Sequence, residues 1–264
     1  WDKAQKQFSG VAEDAAEKPA QADFADGSGD LLARMAVDPA GAGAFFAATA
    51  EWERMRTEPS EEGTARALQA QSNFVKNHPG SPFTADVRLR LGQFYETMNT
   101  LFPAAGAYAD VVNGPHGTRA QRQEAIYRLL RCYSRLSQWD QALRVARRIE
   151  VEHPRHPSRD DVQLEIGYIL VQTGQYGPAI AQLERVLEWA RGEDAAEARF
   201  YIGEAHERTN DYRQAIKAYS EVAFHGADAS TDWINSADVR RARCYERLGE
   251  LDAAVSTYER IIQR

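Results

Sequence analysis

The stretch IGEAHERTNDYRQAIKAYSEV, residues 202–222, is a second version of LGQFYETMNTLFPAAGAYADV, residues 91–111. The offset of 111 residues is three times 37, so a repeat of this length predicts two further copies between the two stretches. The positions that coincide are Gly92 with Gly203, Glu96 with Glu207, Asn99 with Asn210, Ala104 with Ala215, Tyr108 with Tyr219 and Val111 with Val222.

The intervening copies are present. Each copy has a helical stretch, a tight turn containing Gly, Asn or Gln, and a second helical stretch with an alanine at a fixed place. The alanines are Ala104, Ala142, Ala179, Ala215 and Ala254, spaced by 38, 37, 36 and 39 residues. Ala67 lies 37 residues before Ala104, but the preceding helix, AFFAATAEWERMR, is out of register. The sequence therefore predicts five repeats preceded by an atypical first repeat or cap.

Glycines at mid-helix explain how each pair of helices would pack. A glycine inside a helix costs about 1 kcal/mol relative to alanine, and Gly92, Gly167 and Gly203 occupy such positions. We expect the alanine of the second helix to face the glycine, so that the backbones approach closely and bury a large neighbour. The large neighbours are Tyr108, Leu183, Tyr219 and Tyr258. Leu130 and Ala242 replace glycine in repeats two and five, where we expect wider packing.

The periodicity also sets the fold class and the domain organisation. Apolar residues recur at three- and four-residue spacing, and no alternating Val/Ile/Thr-rich segment indicates a strand, so the predicted class is all-α. Residues 1–42, rich in Ala, Asp and Gly, are interpreted as a low-complexity segment, extended or weakly helical. Residues 43–84 form the degenerate first repeat or cap. The five repeats occupy about residues 85–122, 123–159, 160–195, 196–234 and 235–264.

Composition excludes two classes of partner. The formal net charge is −7, and a general affinity for nucleic acid or anionic lipid requires a clustered basic surface. No apolar run approaches the roughly 20 residues that a membrane-spanning helix needs. We therefore expect no nucleic-acid partner and no transmembrane segment in this chain.

The helical pairs resemble the tetratricopeptide repeat. The resemblance rests on Leu-Gly-x-x-Tyr at 91–95 and Ile-Gly-x-x-His at 202–206, on the alanine twelve residues after each glycine with an aromatic residue four later, and on Pro79 and Pro154 after second helices. It covers about residues 48–264. Two departures are the absence of the early tryptophan of the consensus and a period of 36 to 39 residues rather than 34.

The resemblance implies a right-handed superhelical solenoid of antiparallel helix pairs, with the first helix of each pair lining a concave groove. Linkers such as NHPGSPF and EHPRHPSRDD are similar to those of bacterial cell-envelope repeat proteins. We therefore expect a periplasmic or cell-envelope location, with the cytoplasm as the alternative.

Motifs of catalysis are missing from the sequence. It contains no G-x-G-x-x-G after a strand, no G-K-[ST] loop, no H-E-x-x-H and no G-x-S-x-G. His153 and His156 flank a linker proline and are interpreted as polar linker residues rather than metal ligands. Cys132 and Cys244 occupy the same position three repeats apart, too distant for a disulfide. We expect a non-enzymatic protein with no cofactor and no metal.

The function is then expected to reside in the groove, as a scaffold for a protein or peptide partner. Arg131, Arg135, Arg243 and Arg247 would grip acidic groups of the partner, while Leu164 and Tyr168 would hold an apolar anchor. The remaining groove residues are Tyr127 and Arg128 in repeat two, Val171 in repeat three, Phe200, Glu204 and Glu207 in repeat four, and Arg240 in repeat five. An ordinary solvated face, with arginines paired to neighbouring glutamates, remains open as the alternative.

Two further hypotheses concern partners. The carboxylate clamp of chaperone-binding family members is not matched at these positions, so chaperone C-termini are not expected partners. The C-terminal helix carries Val255, Ile261 and Ile262 on its apolar side, and no capping helix follows it. We interpret this as truncation of a longer repeat array, with self-association through this helix as the alternative. The chain would alternatively serve as the adaptor or regulatory module of a larger multidomain protein.

Overall fold

The computed structural model describes residues 28–225 and 230–263, and the expectation for residues 1–27 lies outside this part. The described residues form thirteen α-helices and no strand, which confirms the all-α class. The chain divides into two compact units, Trp1–Val145 and Ala146–Arg264.

The helices of unit 1 are α1 (Ser28–Val37), α2 (Pro39–Thr57), α3 (Glu61–Asn77), α4 (Thr84–Thr97), α5 (Leu101–Asn113) and α6 (Arg119–Arg135). Helix α7 (Trp139–Glu152) contains the boundary between the units. The helices of unit 2 are α8 (Arg159–Gln172), α9 (Tyr176–Leu187), α10 (Gly192–Arg208), α11 (Tyr212–His225), α12 (Thr231–Leu248) and α13 (Leu251–Gln263).

Unit 1 is built by consecutive packing. Helix α2 packs on α3, α4 on α5, and α5 on α6. Aromatic residues of α2 join the first pair to the next: the Phe45 ring stacks on Phe83 with centroids 4.7 Å apart, and Trp52 meets Phe94 edge-on at 5.3 Å. Trp52 is fully buried, so the atypical first pair has its own apolar core.

A buried polar network fastens α1 to this unit. The Arg34 guanidinium pairs with the Asp86 carboxylate of α4 and donates to the Pro82 carbonyl at 3.0 Å. Asp86, which is 1% exposed, also accepts from the Gln121 side-chain amide of α6 at 2.8 Å. One buried carboxylate therefore joins three helices, and its charge is balanced within the network.

Unit 2 repeats the same packing. The pairs are α8 with α9, α10 with α11 and α12 with α13, while α9 packs on α10 and α11 on α12. The first helices also touch one another, α8 against α10 and α10 against α12. The core is formed by small and branched residues, including Leu183, Val186, Ala215 and Val222.

The glycines are required by a large side chain rather than by the alanine. A Cβ on Gly92 would lie 2.5 Å from Cε1 of Tyr108, and a Cβ on Gly203 would lie 2.5 Å from Cε1 of Tyr219. A Cβ on Gly167 would likewise lie 2.4 Å from a methyl carbon of Leu183. The expectation that the alanine faces the glycine is thus corrected, because the ring or branched side chain four residues beyond that alanine fills the space.

Each helix pair turns at the same place, seven residues after the glycine position. The residue there has positive φ in all five pairs: Asn99 (56°), Ser137 (56°), Gly174 (76°), Asn210 (61°) and Gly249 (77°). Glycine and asparagine tolerate this left-handed conformation, which commonly ends helices. The turn residues expected from the sequence therefore have a defined conformational role.

Several first helices begin earlier than the expected repeat boundaries. Helix α6 begins at Arg119 because Thr118 and Gln121 form a capping box, in which each side chain bonds the other's backbone N–H. Helices α10 and α12 begin at Gly192 and Thr231. The sequence predicts extended or weakly helical structure for residues 1–42; in their described part, residues 28–37 form α1 and residues 39–42 begin α2.

Candidate functional site

The first helices of unit 2 form a continuous layer, and the side of this layer that is not packed into the core is here called the first-helix face. Its residues recur at three- and four-residue spacing on each helix, as one side of a helix requires. They are Asp161, Glu165, Tyr168 and Gln172 on α8, Asp194, Glu197, Tyr201 and Arg208 on α10, and Trp233, Ser236, Arg240, Arg243 and Arg247 on α12.

A row of aromatic rings crosses the three helices of this face. The Tyr168 and Tyr201 rings lie 4.9 Å apart between their centroids, and the Tyr201 and Trp233 rings lie 6.1 Å apart. The Phe200 and Trp233 ring centroids lie 5.3 Å apart. All four rings are partly exposed, so the row combines a fixed geometry with accessible apolar area.

Carboxylates surround the first part of this row. Burial, then the charges of Glu165, Glu204 and Glu197, raise the pKa of Tyr168. Burial and Glu197, which accepts a hydrogen bond from the Tyr201 hydroxyl, likewise raise the pKa of Tyr201. Because each of these charges is negative, the part of the face on α8 and α10 is an acidic environment.

The part of the face on α12 is basic. Arg243 and Arg247 are exposed, whereas Arg240 is partly buried. The Arg240 guanidinium lies 3.3 Å from the Glu207 carboxylate of α10. Glu207 also accepts a hydrogen bond from the Tyr219 hydroxyl at 2.8 Å. Arg240 is therefore held by a glutamate of its own chain. Of the two exposed arginines, Arg243 also makes a side-chain hydrogen bond with Tyr258.

The same arrangement occurs in unit 1. The Tyr108 hydroxyl donates to Glu96 at 2.9 Å, and Arg128 donates to the same carboxylate at 3.0 Å. Arg128 also pairs with Glu124 at 2.9 Å. Burial lowers the pKa of Arg128, but Tyr108 and the two glutamates outweigh it, so that the pKa is raised. This tyrosine, glutamate and arginine group joins one repeat to the next.

The other predicted arginines of unit 1 differ in their surroundings. Arg135 is exposed and donates to the Asn99 side-chain oxygen at 2.7 Å. Arg131 is exposed, and Tyr127 is partly exposed. Pairing of arginine with glutamate is thus seen at Arg128 and Arg240, and at Arg135, which lies 3.9 Å from Glu96. Arg131, Arg243 and Arg247 are exposed, as expected both for a solvated face and for a binding face.

Three predicted groove residues are corrected by burial. Leu164 is 7% exposed and Val171 is fully buried, because both face the core between α8 and its neighbours. Glu204 is 5% exposed and lies beneath Arg208, with which it pairs at 2.8 Å. An apolar anchor of a partner would therefore meet Tyr168 and its ring neighbours, not Leu164 or Val171.

The two cysteines and His156, which have side chains capable of reacting or binding metal, are buried within the fold. Cys132 and Cys244 are free thiols, each 1% exposed. Burial chiefly, and the nearby glutamate, raise the pKa of each thiol to about 12. His156 is buried and its Nδ1 accepts the Ser158 backbone N–H at 3.0 Å. Within residues 28–225 and 230–263, no three His, Cys, Asp or Glu side chains converge as metal ligands.

A cavity of about 300 Å³ lies at the turn between α2 and α3. Both arginines of its lining are paired: Arg54 meets Glu51 of the lining at 2.6 Å, and Arg66 meets Glu62, one turn earlier on α3, at 2.9 Å. No helix of the described chain is both long and apolar enough to span a bilayer.

Sequence reasoning missed Asp194, Glu197, Tyr201 and Trp233. A spacing of twelve residues separates Glu96 from Tyr108 and also Glu207 from Tyr219. This shared spacing would have indicated the two hydrogen-bonded pairs. The aromatic row had no such signal, because Tyr168, Tyr201 and Trp233 occupy three different positions of their repeats.

Comparison with known families finds tetratricopeptide repeats in unit 2. Two tetratricopeptide repeat profiles match residues 164–231 and 236–264. A TPR repeat-containing protein of Methanocaldococcus jannaschii is 27% identical over 99 residues, which is 38% of this chain. The match spans 30% of the length of that protein.

Solved structures share the fold. A tetratricopeptide repeat protein from Parabacteroides merdae superposes with a TM-score of 0.61 at 15% identity, over 84% of this chain and 80% of that one. A MamA fragment from Desulfovibrio magneticus gives a TM-score of 0.55 at 15% identity, over 68% of this chain and 93% of that one. At such identities the likeness concerns the fold alone.

Proposed function

We propose that the protein is a non-enzymatic scaffold that binds a protein or peptide partner on the first-helix face of unit 2. The family match supports a binding role, since tetratricopeptide repeats generally mediate protein–protein interaction. The observation that carries the proposal is the row of partly exposed rings, Tyr168, Tyr201 and Trp233, together with exposed Arg243 and Arg247 further along the same helix as Trp233. Tyrosine, tryptophan and arginine contribute most strongly to protein interfaces.

The two exposed arginines are proposed to contact acidic groups of the partner. Arginine offers a planar fork of donors that matches a carboxylate. The equivalent Arg131 and Arg135 of repeat two are proposed to do the same in unit 1. Arg128 and Arg240 stabilise the junctions between repeats instead, because each is already bonded to a glutamate of the preceding repeat.

The proposal is tested by capturing partners from a lysate of the source organism and measuring the affinity of a captured protein for two charge-reversal variants. Arg243→Glu with Arg247→Glu changes the first-helix face. Arg185→Glu with Lys217→Glu makes the same charge change at exposed positions of second helices.

We expect the first variant to bind at least about tenfold more weakly and the second to bind within about twofold of the wild type. Melting temperatures should agree for all three proteins, because every substituted residue is exposed. Equal affinities for the two variants would contradict the assignment of this face.

A bacterial cell-envelope role is proposed on the linkers alone. His78-Pro79 and His153-Pro154 begin linkers similar to those of envelope repeat proteins. The cytoplasm remains the alternative location, and an adaptor module of a larger protein remains the alternative role. Fractionation of the source cells followed by immunodetection distinguishes the two locations.

A further inference from the structure

We propose that the acidic half of the first-helix face binds a basic segment of the partner. One lysine or arginine side chain of the segment lies against the Tyr168 and Tyr201 rings beside Glu165 and Glu197, and a second contacts Asp161 and Asp194, which lie about two helical turns away. This inference rests on the proposed binding function and specifies the chemistry of the partner at one place on the face.

The rings provide a surface suited to a cation. The Tyr168 and Tyr201 centroids are 4.9 Å apart with planes inclined by 40°, and Trp233 continues the row at 6.1 Å from Tyr201. Lysine and arginine are attracted to ring faces, and the attraction is stronger where water is partly excluded. The half-buried rings are already held by their neighbours. A partner side chain that binds on them therefore costs little conformational entropy of the protein.

The charges around the rings favour a cation over an anion. The face residues of α8 include Asp161 and Glu165 but no lysine or arginine. On α10 the only basic residue of the face is Arg208, which is paired with Glu204 at 2.8 Å. The face of these two helices therefore has a negative excess, which complements a basic segment.

The carboxylates at the start of α10 repel one another. Burial, then the charges of Asp161, Asp160 and Glu193, raise the pKa of Asp194. Glu193 also reaches the beginning of α12, where it accepts the Ser230 backbone N–H at 2.6 Å. A cationic side chain placed here would relieve this repulsion.

The residue at one equivalent position differs between this part of the face and the other repeats. The position two residues before the glycine position holds Glu165 in repeat three and Tyr201 in repeat four, whereas repeats one, two and five hold Arg90, Arg128 and Arg240. Three repeats thus have an arginine where repeats three and four have an acid and a ring. The acidic and aromatic character is a property of repeats three and four.

The occupant is an organic cation of a polypeptide rather than a metal ion. Within the part of the chain that the structure describes, no three carboxylates, histidines or cysteines converge as ligands. The ring row would moreover contribute nothing to a hydrated metal ion, whereas it can contact the methylene chain of lysine as well as its ammonium group.

The experiment measures the binding of two fluorescein-labelled twelve-residue peptides by anisotropy. The basic probe alternates lysine and arginine with alanine and has one central leucine, and the acidic probe has glutamate in place of every lysine and arginine. The test variant is Asp161→Asn with Asp194→Asn and Glu197→Gln. The control variant is Glu184→Gln with Glu188→Gln and Glu259→Gln, which removes the same charge from exposed positions outside the face.

We expect the wild type to bind the basic probe and to prefer it at least about tenfold over the acidic probe. The test variant should bind the basic probe roughly tenfold more weakly, and the control should stay within about twofold. Tyr168→Phe, which keeps the ring, should bind like the wild type, whereas Tyr168→Leu should lose about threefold because it removes the π face.

Equal losses in the test and control variants would overturn the proposal, since binding would then follow net charge alone. A preference for the acidic probe, or no binding of the basic probe up to about 100 μM, would overturn it as well. The scaffold function can still stand in each of these cases, because it is judged separately by the Arg243→Glu and Arg247→Glu variant and the captured partner. Circular dichroism melting confirms that each variant is folded.

Discussion

Single residues determine how closely the paired helices pack. Gly92, Gly167 and Gly203 each lie against a large side chain of the second helix, and each occupies a space that no Cβ could share. The pairing is visible across repeats: where Leu130 replaces the glycine, the residue sixteen positions later is Ala146 rather than a tyrosine or leucine. In repeat two the large residue therefore lies on the first helix and the small one on the second. The combined side-chain volume at the contact stays similar, as close packing requires.

Gly92→Ala should lower the free energy of unfolding by about 1–3 kcal/mol, because the added methyl group overlaps the buried Tyr108 ring. Gly106→Ala is the matched control on α5, where a Cβ would meet nothing within 4 Å. It should raise the free energy of unfolding by about 0.5–1 kcal/mol, through higher helix propensity. Urea denaturation measures both, and a similar effect of the two substitutions would contradict the packing account.

The two thiols provide a second prediction at this scale. Burial raises the pKa of Cys132 and Cys244 from an ordinary value near 9 to about 12, so at pH 8 the folded protein holds almost no thiolate. Iodoacetamide should modify both residues at least about 100-fold more slowly in the folded protein than in guanidinium chloride. Mass spectrometry of timed samples gives the rates. Rapid labelling of the native protein would show that these sites open readily.

The sign of the corresponding pH effect follows from the raised pKa. Between pH 9 and pH 12 the unfolded chain releases the thiol protons while the folded chain retains them, so the free energy of unfolding falls as pH rises in this range. Raised pKa values of the buried Tyr108 and Tyr219 act in the same direction. Below pH 9 the stabilising contribution of these groups to the free energy of unfolding is fully present.

At the scale of the helix, the residue that ends each first helix sets the turn. Five such positions have positive φ, and four of them hold the glycine or asparagine that tolerates it. Ser137, between α6 and α7, is the exception at φ 56°. A residue with a Cβ in this left-handed conformation destabilises the fold relative to glycine.

Ser137→Gly should therefore raise the free energy of unfolding by about 0.5–1 kcal/mol. Gly249→Ala should lower it by about 1 kcal/mol, and since a Cβ at Gly249 would touch nothing within 4 Å, that loss is purely conformational. Thermal melting of the two single variants tests the pair. The opposite order of stabilities would indicate that side-chain contacts, not backbone conformation, control these turns.

Helix order could be predicted from the sequence because its causes are local and recur. Alanine, turn residue and large residue return at nearly constant spacing, which reveals five helix pairs without any structure. The helix starts were less accessible. The capping box of Thr118 and Gln121 begins α6 before the expected boundary of repeat two. The composition of residues 1–42 left extended and weakly helical conformations open, and did not indicate where α1 and α2 begin.

At the scale of the whole molecule, the candidate site is a surface assembled from several repeats. Periodicity predicted accessible positions for Arg243 and Arg247, which are exposed, and for Tyr168, which is partly exposed. It failed for Leu164, Val171 and Glu204, whose burial depends on how neighbouring helices pack. It also missed the Tyr201 and Trp233 contacts, because a row that crosses helices is set by packing between repeats and leaves no fixed spacing in the sequence.

The central claim is that the partner contacts the first-helix face of unit 2. Site-specific photo-crosslinking tests it most directly, with benzoylphenylalanine placed singly at the exposed residues Ser236 and Arg247 of the face and at Glu184 and Lys217 of second helices. The account predicts covalent adducts with the captured partner from Ser236 and Arg247 and none above background from Glu184 and Lys217. Adducts from the second-helix positions alone would contradict it.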